Sequence, residues 1–157
     1  MIHAVGPVWE GGHHEEPQNL RDCVKNSLSK YHDKNIKCIS FPAISSGIFG
    51  FPKELCAEIM LKTTLTMIDK NEVKIKEIRF TNFDLPTVKI FEEKLAEIRK
   101  QFDNNKKGYM DEDKNKVKDT LIFHGTRICL IEGKVFDETS EALIIRYRPK
   151  DIASKDE

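Results

Sequence analysis

Three times within the first hundred residues, a short apolar run gives way to a segment with helical periodicity. Residues 2–5 (IHAV), closed by Gly6-Pro7, read as a strand and a turn, and residues 36–41 (IKCISF) and 75–83 (IKEIRFTNF) read as two more strands. Leu20, Cys23, Val24, Leu28 and Tyr31 recur at three- and four-residue steps, one stripe of a first helix. Leu55, Cys56, Ile59, Thr63 and Met67 mark a second, and Val88, Phe91, Leu95 and Ile98 a third. Parallel neighbours need a crossover connection, and a helix supplies it. The order therefore predicts an α/β fold: a mixed, mainly parallel sheet sandwiched by helices.

The pattern breaks at residues 103–119 (DNNKKGYMDEDKNKVKD), a nearly continuous polar and charged stretch that reads as a linker or loop. Residues 120–123, 127–131 and 142–147 then read as strands, with a turn at Glu132-Gly133-Lys134, and the tail from Lys150 is charged. The expected organisation is a unit over 1–101, a linker over 102–119, a strand segment over 120–147 and a tail over 148–157.

Lys plus Arg and Asp plus Glu number 26 each, so the chain has no net charge and no general grip on nucleic acid or anionic membrane. No apolar run approaches the roughly 20 residues that span a bilayer, and MIHAVGPVW does not read as a secretory leader. Cys23, Cys38, Cys56 and Cys129 form no CxxC pair and read as reduced core thiols. The expectation is an intracellular protein, nuclear or cytoplasmic.

Between the second strand and the second helix lies FPAISSGIFGFP, residues 41–52. A strand running into a Gly-rich turn and then a helix collects backbone N–H groups on one concave surface, beside the positive end of the helix dipole. Gly47 and Gly50 permit positive φ, Ser45 and Ser46 add hydroxyl donors, and Ile48 and Phe49 could cover a sugar. Two readings stand on spacing alone: a phosphate cradle and a plain strand-to-helix turn. Neither GxGxxG nor GxxxxGK[ST] is present, so no magnesium-dependent phosphoryl transfer is implied.

IHAVGPVW, then FPAISSGIFGFP, then IRFTNFD, with helices between them, resembles a macrodomain over roughly residues 1–100, of the kind carried by poly- and mono-ADP-ribosyltransferases. The resemblance implies an ADP-ribose ligand and no cofactor. It places the diphosphate on the amides of Ser45, Ser46, Gly47, Ile48, Phe49 and Gly50, the distal ribose on Phe49 and the adenine on Phe83. ADP-ribosylated proteins are the implied partners, without direct nucleic-acid contact. Read from its strand alone, Phe83 is a core aromatic sooner than a ligand shelf, a preference that the resemblance reverses, and Asp84 reads as a helix cap.

The same resemblance implies that the chain starts inside the fold, with the family's first strands ahead of Met1. Those strands carry the adenine-reading aspartate, an Asn-x-x-Asn run and a first Gly-rich loop. TRICLIEGKVFDETSEALII resembles the start of a second copy, with Lys134 at the aspartate position and Arg146 where the asparagine run would begin. Residues 120–147 are therefore expected either to fold back into the incomplete sheet, to stay loose, or to pair with another chain. Three functions remain: an ADP-ribose reader, an ADP-ribosyl hydrolase disfavoured by the absent asparagines, and a non-binding structural fragment of a larger transferase-type protein. His13 and His14, flanked by Glu15 and Glu16, read as a solvated loop, His3 as a buried histidine, His124 as unpartnered, and Cys56 as a core thiol that the helix start could acidify.

Overall fold

The computed structural model describes residues 2–30, 36–105, 120–133 and 142–146, with 102–105 and 142–146 described by backbone alone. In chain order the elements are β1 (Ile2–Ala4), α1 (Glu16–Ser29), β2 (Cys38–Phe41), α2 (Lys53–Asp69), β3 (Glu77–Asn82), α3 (Leu85–Asn105), β4 (Thr120–Phe123), β5 (Thr126–Glu132) and β6 (Ala142–Arg146). Tyr31, Lys134, residues 106–119 and residues 147–157 lie outside the described residues.

All six strands share one sheet, in the order β1-β6-β2-β3-β5-β4. Every pairing is parallel except the β4–β5 hairpin. The segment after the charged stretch thus occupies two places in the sheet. β6 fills the gap between β1 and β2, with Ile2 opposite Ile144 and Ile39 opposite Ala142. β5 lies along β3 from Glu77 opposite Arg127 to Asn82 opposite Glu132.

The core follows the predicted stripes. Leu20, Cys23, Val24 and Leu28 of α1, Cys56, Ile59 and Met67 of α2, and Val88, Phe91, Leu95 and Ile98 of α3 are all buried. On the sheet, Ile39, Phe41, Ile78 and Phe80 are fully buried, and rings stack from Phe41 to Phe80 (5.9 Å) and on to Phe91 of α3 (5.5 Å). Offset aromatic contacts at such spacings add to the burial of the rings themselves. The helices pack as a row, α1 against α2 and α2 against α3, with α3 also on β3 and β5.

Several expectations are corrected. The strands predicted from residues 36 and 75 begin at Cys38 and Glu77, because Ile36 and Ile75 are buried ahead of the ladder. The helix α3 runs to Asn105, through the expected boundary at 101/102 and into the polar stretch. His3 is exposed, since its strand turns Ile2 and Ala4 inward. His124 is partnered: its Nε2 lies 3.3 Å from Asp69 Oδ1. Cys56 is not acidified; burial pushes its thiol up to about 12, and Sγ donates to the Ile44 carbonyl at 3.2 Å.

Candidate functional site

Because β1, β6, β2, β3 and β5 run parallel, their carboxyl ends share one edge. Three connections and two strand ends meet there: residues 5–15 after β1, 42–52 after β2, 83–84 after β3, Gly133 after β5, and Arg146 as the last residue of β6. Open parallel sheets bind ligands at this edge.

Asn82 laces the strand ends. Its Oδ1 accepts from the Ala43 N–H (3.0 Å), and its carbonyl accepts from the Gly133 N–H (2.9 Å). Its Nδ2 is buried without a partner among the described residues. On the other side of the loop, Gly6 lies so close that a Cβ there would stand 2.2 Å from Ser45 Oγ and 2.5 Å from Ile44 Cγ2, and those side chains would have to shift.

Within 45–50 the amides divide. Ser46 N–H donates to the Ala43 carbonyl (3.3 Å) and Gly50 N–H to the Gly47 carbonyl (2.9 Å). The N–H groups of Ser45, Gly47 and Ile48 have no protein partner among the described residues. The six amides expected to act alike therefore do not: two are spent on holding the turn. The positive φ values fall at Ser45 (64°) and Gly50 (68°), so the left-handed conformation expected of Gly47 is taken by a serine. Ser45 is 1% exposed, and its Oγ is a buried hydroxyl without a partner among the described residues rather than a surface donor. Ser46 Oγ donates to the Ala43 carbonyl at 2.9 Å.

The apolar residues around this loop stand out in solvent. Ile48 is 70% exposed and Phe83 75%, so Phe83 is not a core ring; Val5, Val8 and Leu85 are also exposed. The N-terminus of α2 begins at Lys53, directly after the loop. Asp84 caps α3, accepting from the Thr87 N–H (2.9 Å) and Oγ1 (2.8 Å). Removal from water raises the Asp84 pKa, but these bonds and Lys53 Nζ at 3.5 Å outweigh it and hold the group below its usual range.

Residues 1–60 match the family model of the Macro domain. Three-dimensional comparison agrees: the Oceanobacillus iheyensis macrodomain solved with ADP superposes with a TM-score of 0.56 at 29% identity, covering 61% of this chain and 50% of that one. The fold is a macrodomain fold. Among relatives, a protein of Thermotoga maritima is 48% identical over 97 residues, 61% of this chain and 16% of that protein. A Klebsiella pneumoniae protein named O-acetyl-ADP-ribose deacetylase is 42% identical over 96 residues, 61% of this chain and 54% of that protein. A macro domain-containing protein of Listeria monocytogenes is 41% identical over 92 residues, 52% of its length. The chain thus spans about half the length of the Klebsiella and Listeria relatives.

Two contributors to this macrodomain edge escaped the sequence reading. Asn82 carried a signal, a polar residue ending an apolar strand. Glu16 carried almost none, since it follows two histidines and another glutamate in what reads as a solvated loop. In the structure it is 2% exposed and accepts three backbone N–H bonds.

Proposed function

We propose that this chain binds ADP-ribose, free or attached to protein, at the carboxyl edge of its sheet. The observation that carries the proposal is the set of unengaged amides at Ser45, Gly47 and Ile48, in a turn leading directly into α2. N–H groups at such a junction, with the helix dipole behind them, suit a diphosphate and require no metal. Ser46 and Gly50 shape the turn, Phe49 packs on the distal ribose with Ile48 exposed beside it, and Phe83 offers an exposed face for adenine. The ADP-bound relative of the same fold supports the ligand class. Calorimetric titration with ADP-ribose tests the reading, with Gly47→Glu as the control. A carboxylate placed against the phosphates abolishes binding if the site is right, and unchanged affinity refutes the assignment.

A second reading has one observation in its favour, the name O-acetyl-ADP-ribose deacetylase borne by similar proteins. On it, the same edge would hold the ester while water attacks the acyl carbon. Release of acetate from O-acetyl-ADP-ribose, assayed at enzyme concentrations that saturate binding, separates hydrolysis from reading alone.

A further inference from the structure

Among the described residues, Glu16 is the only charged side chain that is buried. A buried carboxylate is costly unless its oxygens are hydrogen-bonded. Here the preceding loop wraps around it. The Glu10 and Gly12 N–H groups donate to Oε1 at 3.0 Å each, and the His14 N–H donates to Oε2 at 2.6 Å. Turning residues 10, 12 and 14 inward requires left-handed backbone at Gly11 (φ 94°), Gly12 (φ 86°) and Glu15 (φ 59°). At Glu15 that conformation is strained for a non-glycine residue, and the surroundings must hold it.

The wrapped loop touches the ligand turn through Trp9. Gly12 lies under the indole, where a Cβ would come within 2.9 Å of Cη2. The Trp9 N–H donates to the Phe49 carbonyl at 2.9 Å, inside the ligand turn. The indole meets the Phe51 ring edge-on at 4.8 Å, and the Phe51 N–H returns to the Ser45 carbonyl at 3.1 Å. An unbroken series of contacts therefore runs from the Glu16 carboxylate to both ends of the 45–50 turn.

We infer that Glu16 is a positioning residue for the ligand turn: its carboxylate shapes residues 10–14 into a brace that, through Trp9, fixes the amides of Gly47 and Ile48 in their binding geometry. The role rests on the ADP-ribose reading above. It differs from simple support of α1, because its effect passes through Trp9 to a loop some thirty residues away in sequence.

Trp9 is the only tryptophan in the chain, so its emission reports the brace directly. Glu16→Gln removes the charge and presents an amide donor to N–H donors. It should raise acrylamide quenching of Trp9 and weaken ADP-ribose binding about tenfold, the scale of a lost charged hydrogen bond. Glu16→Asp, which keeps the charge, should recover part of both. Gly12→Ala leaves the carboxylate intact but strains the left-handed backbone at φ 86° and drives a Cβ against the indole, and should move both readouts together. It decides the matter if Glu16→Gln does not fold. Titrations are run well below the unfolding transition, where lost stability alone leaves affinity unchanged. Wild-type binding with Gly12→Ala and Glu16→Gln affinities within twofold of it overturns this inference alone. So does a Trp9 that stays shielded in both variants. A wild-type chain that does not bind ADP-ribose overturns the binding reading and this role with it.

Discussion

A phenylalanine ring 75% exposed at the carboxyl end of β3 contributes little to the core, and on the proposed reading it stacks on adenine. Phe83→Ala should weaken ADP-ribose binding by about 1–3 kcal/mol, the worth of one base–aromatic stack. It should move unfolding by no more than about 0.5 kcal/mol, as exposed substitutions do. Calorimetric titration beside thermal melts checks both halves. The strand pattern alone favoured a core place for Phe83 and only the resemblance favoured the shelf; the exposure overturns the core reading. Glu16 is the opposite case. Burial raises its pKa, but N–H bonds from its own backbone and from Glu10, His14 and Gly12 more than offset this and bring it to about 2, against an ordinary 4.5. A depressed folded-state value contributes stability that is complete above the unfolded pKa and lost on acidification. The difference in melting temperature between wild type and Glu16→Gln should therefore be full above about pH 5, shrink from about pH 4.5 downward, and be nearly gone by pH 2. A gap constant from pH 6 to pH 2 would show the carboxylate charge to be irrelevant. No periodicity could have announced this residue, because its partners are backbone N–H groups brought round by a loop rather than side chains at a fixed spacing.

At the scale of elements, the sequence was most informative where a stripe had one face to bury. Each helix shows its described stripe inside, apart from a half-buried Leu55, and Asp84, read as a cap, accepts from the Thr87 N–H. Asp84→Ala should cost about 1 kcal/mol, the usual worth of such a cap, seen as a lower denaturant midpoint with an unchanged slope. It also releases Lys53, 3.5 Å away beside the ligand turn, but that pair is half exposed and adds little. Element ends were less legible for a definite reason. Ile36 and Ile75 are buried like strand residues, yet the ladder starts only where a neighbour supplies partners, at Cys38 opposite Glu77. Likewise residues 103–105 are polar enough to read as loop, but extending a formed helix is easy compared with starting one, and α3 continues through them.

The sheet order belongs to the whole molecule, and local pattern could not supply it. Strands 2–4 and 38–41 are consecutive in the chain, and nothing in either shows that residues 142–146 lie between them. With β6 in that place, Ile2, His3 and Ala4 have Ile144, Ile145 and Arg146 as partners, and among the described residues β1 has no other strand neighbour. Among the described residues, β1, which leads into Gly6 and the Trp9 brace, is therefore joined to the sheet through residues 142–146 alone. Partners so distant in sequence close late in folding, since loop entropy must be met before the contacts form. Hydrogen exchange on the whole chain should show the amides of 142–146 and of 2–4 protected together, and opening together at intermediate denaturant. Ending the chain at Asn105 removes β4, β5 and β6 at once, so β1 loses its neighbour and β3 becomes an edge. That shortened chain should lose ADP-ribose binding along with protection of residues 2–4, because the Gly6 turn no longer has a strand to start from. If residues 142–146 exchange freely in the whole chain while 38–41 remain protected, β6 is not held between β1 and β2, and the brace at the ligand edge must be anchored some other way.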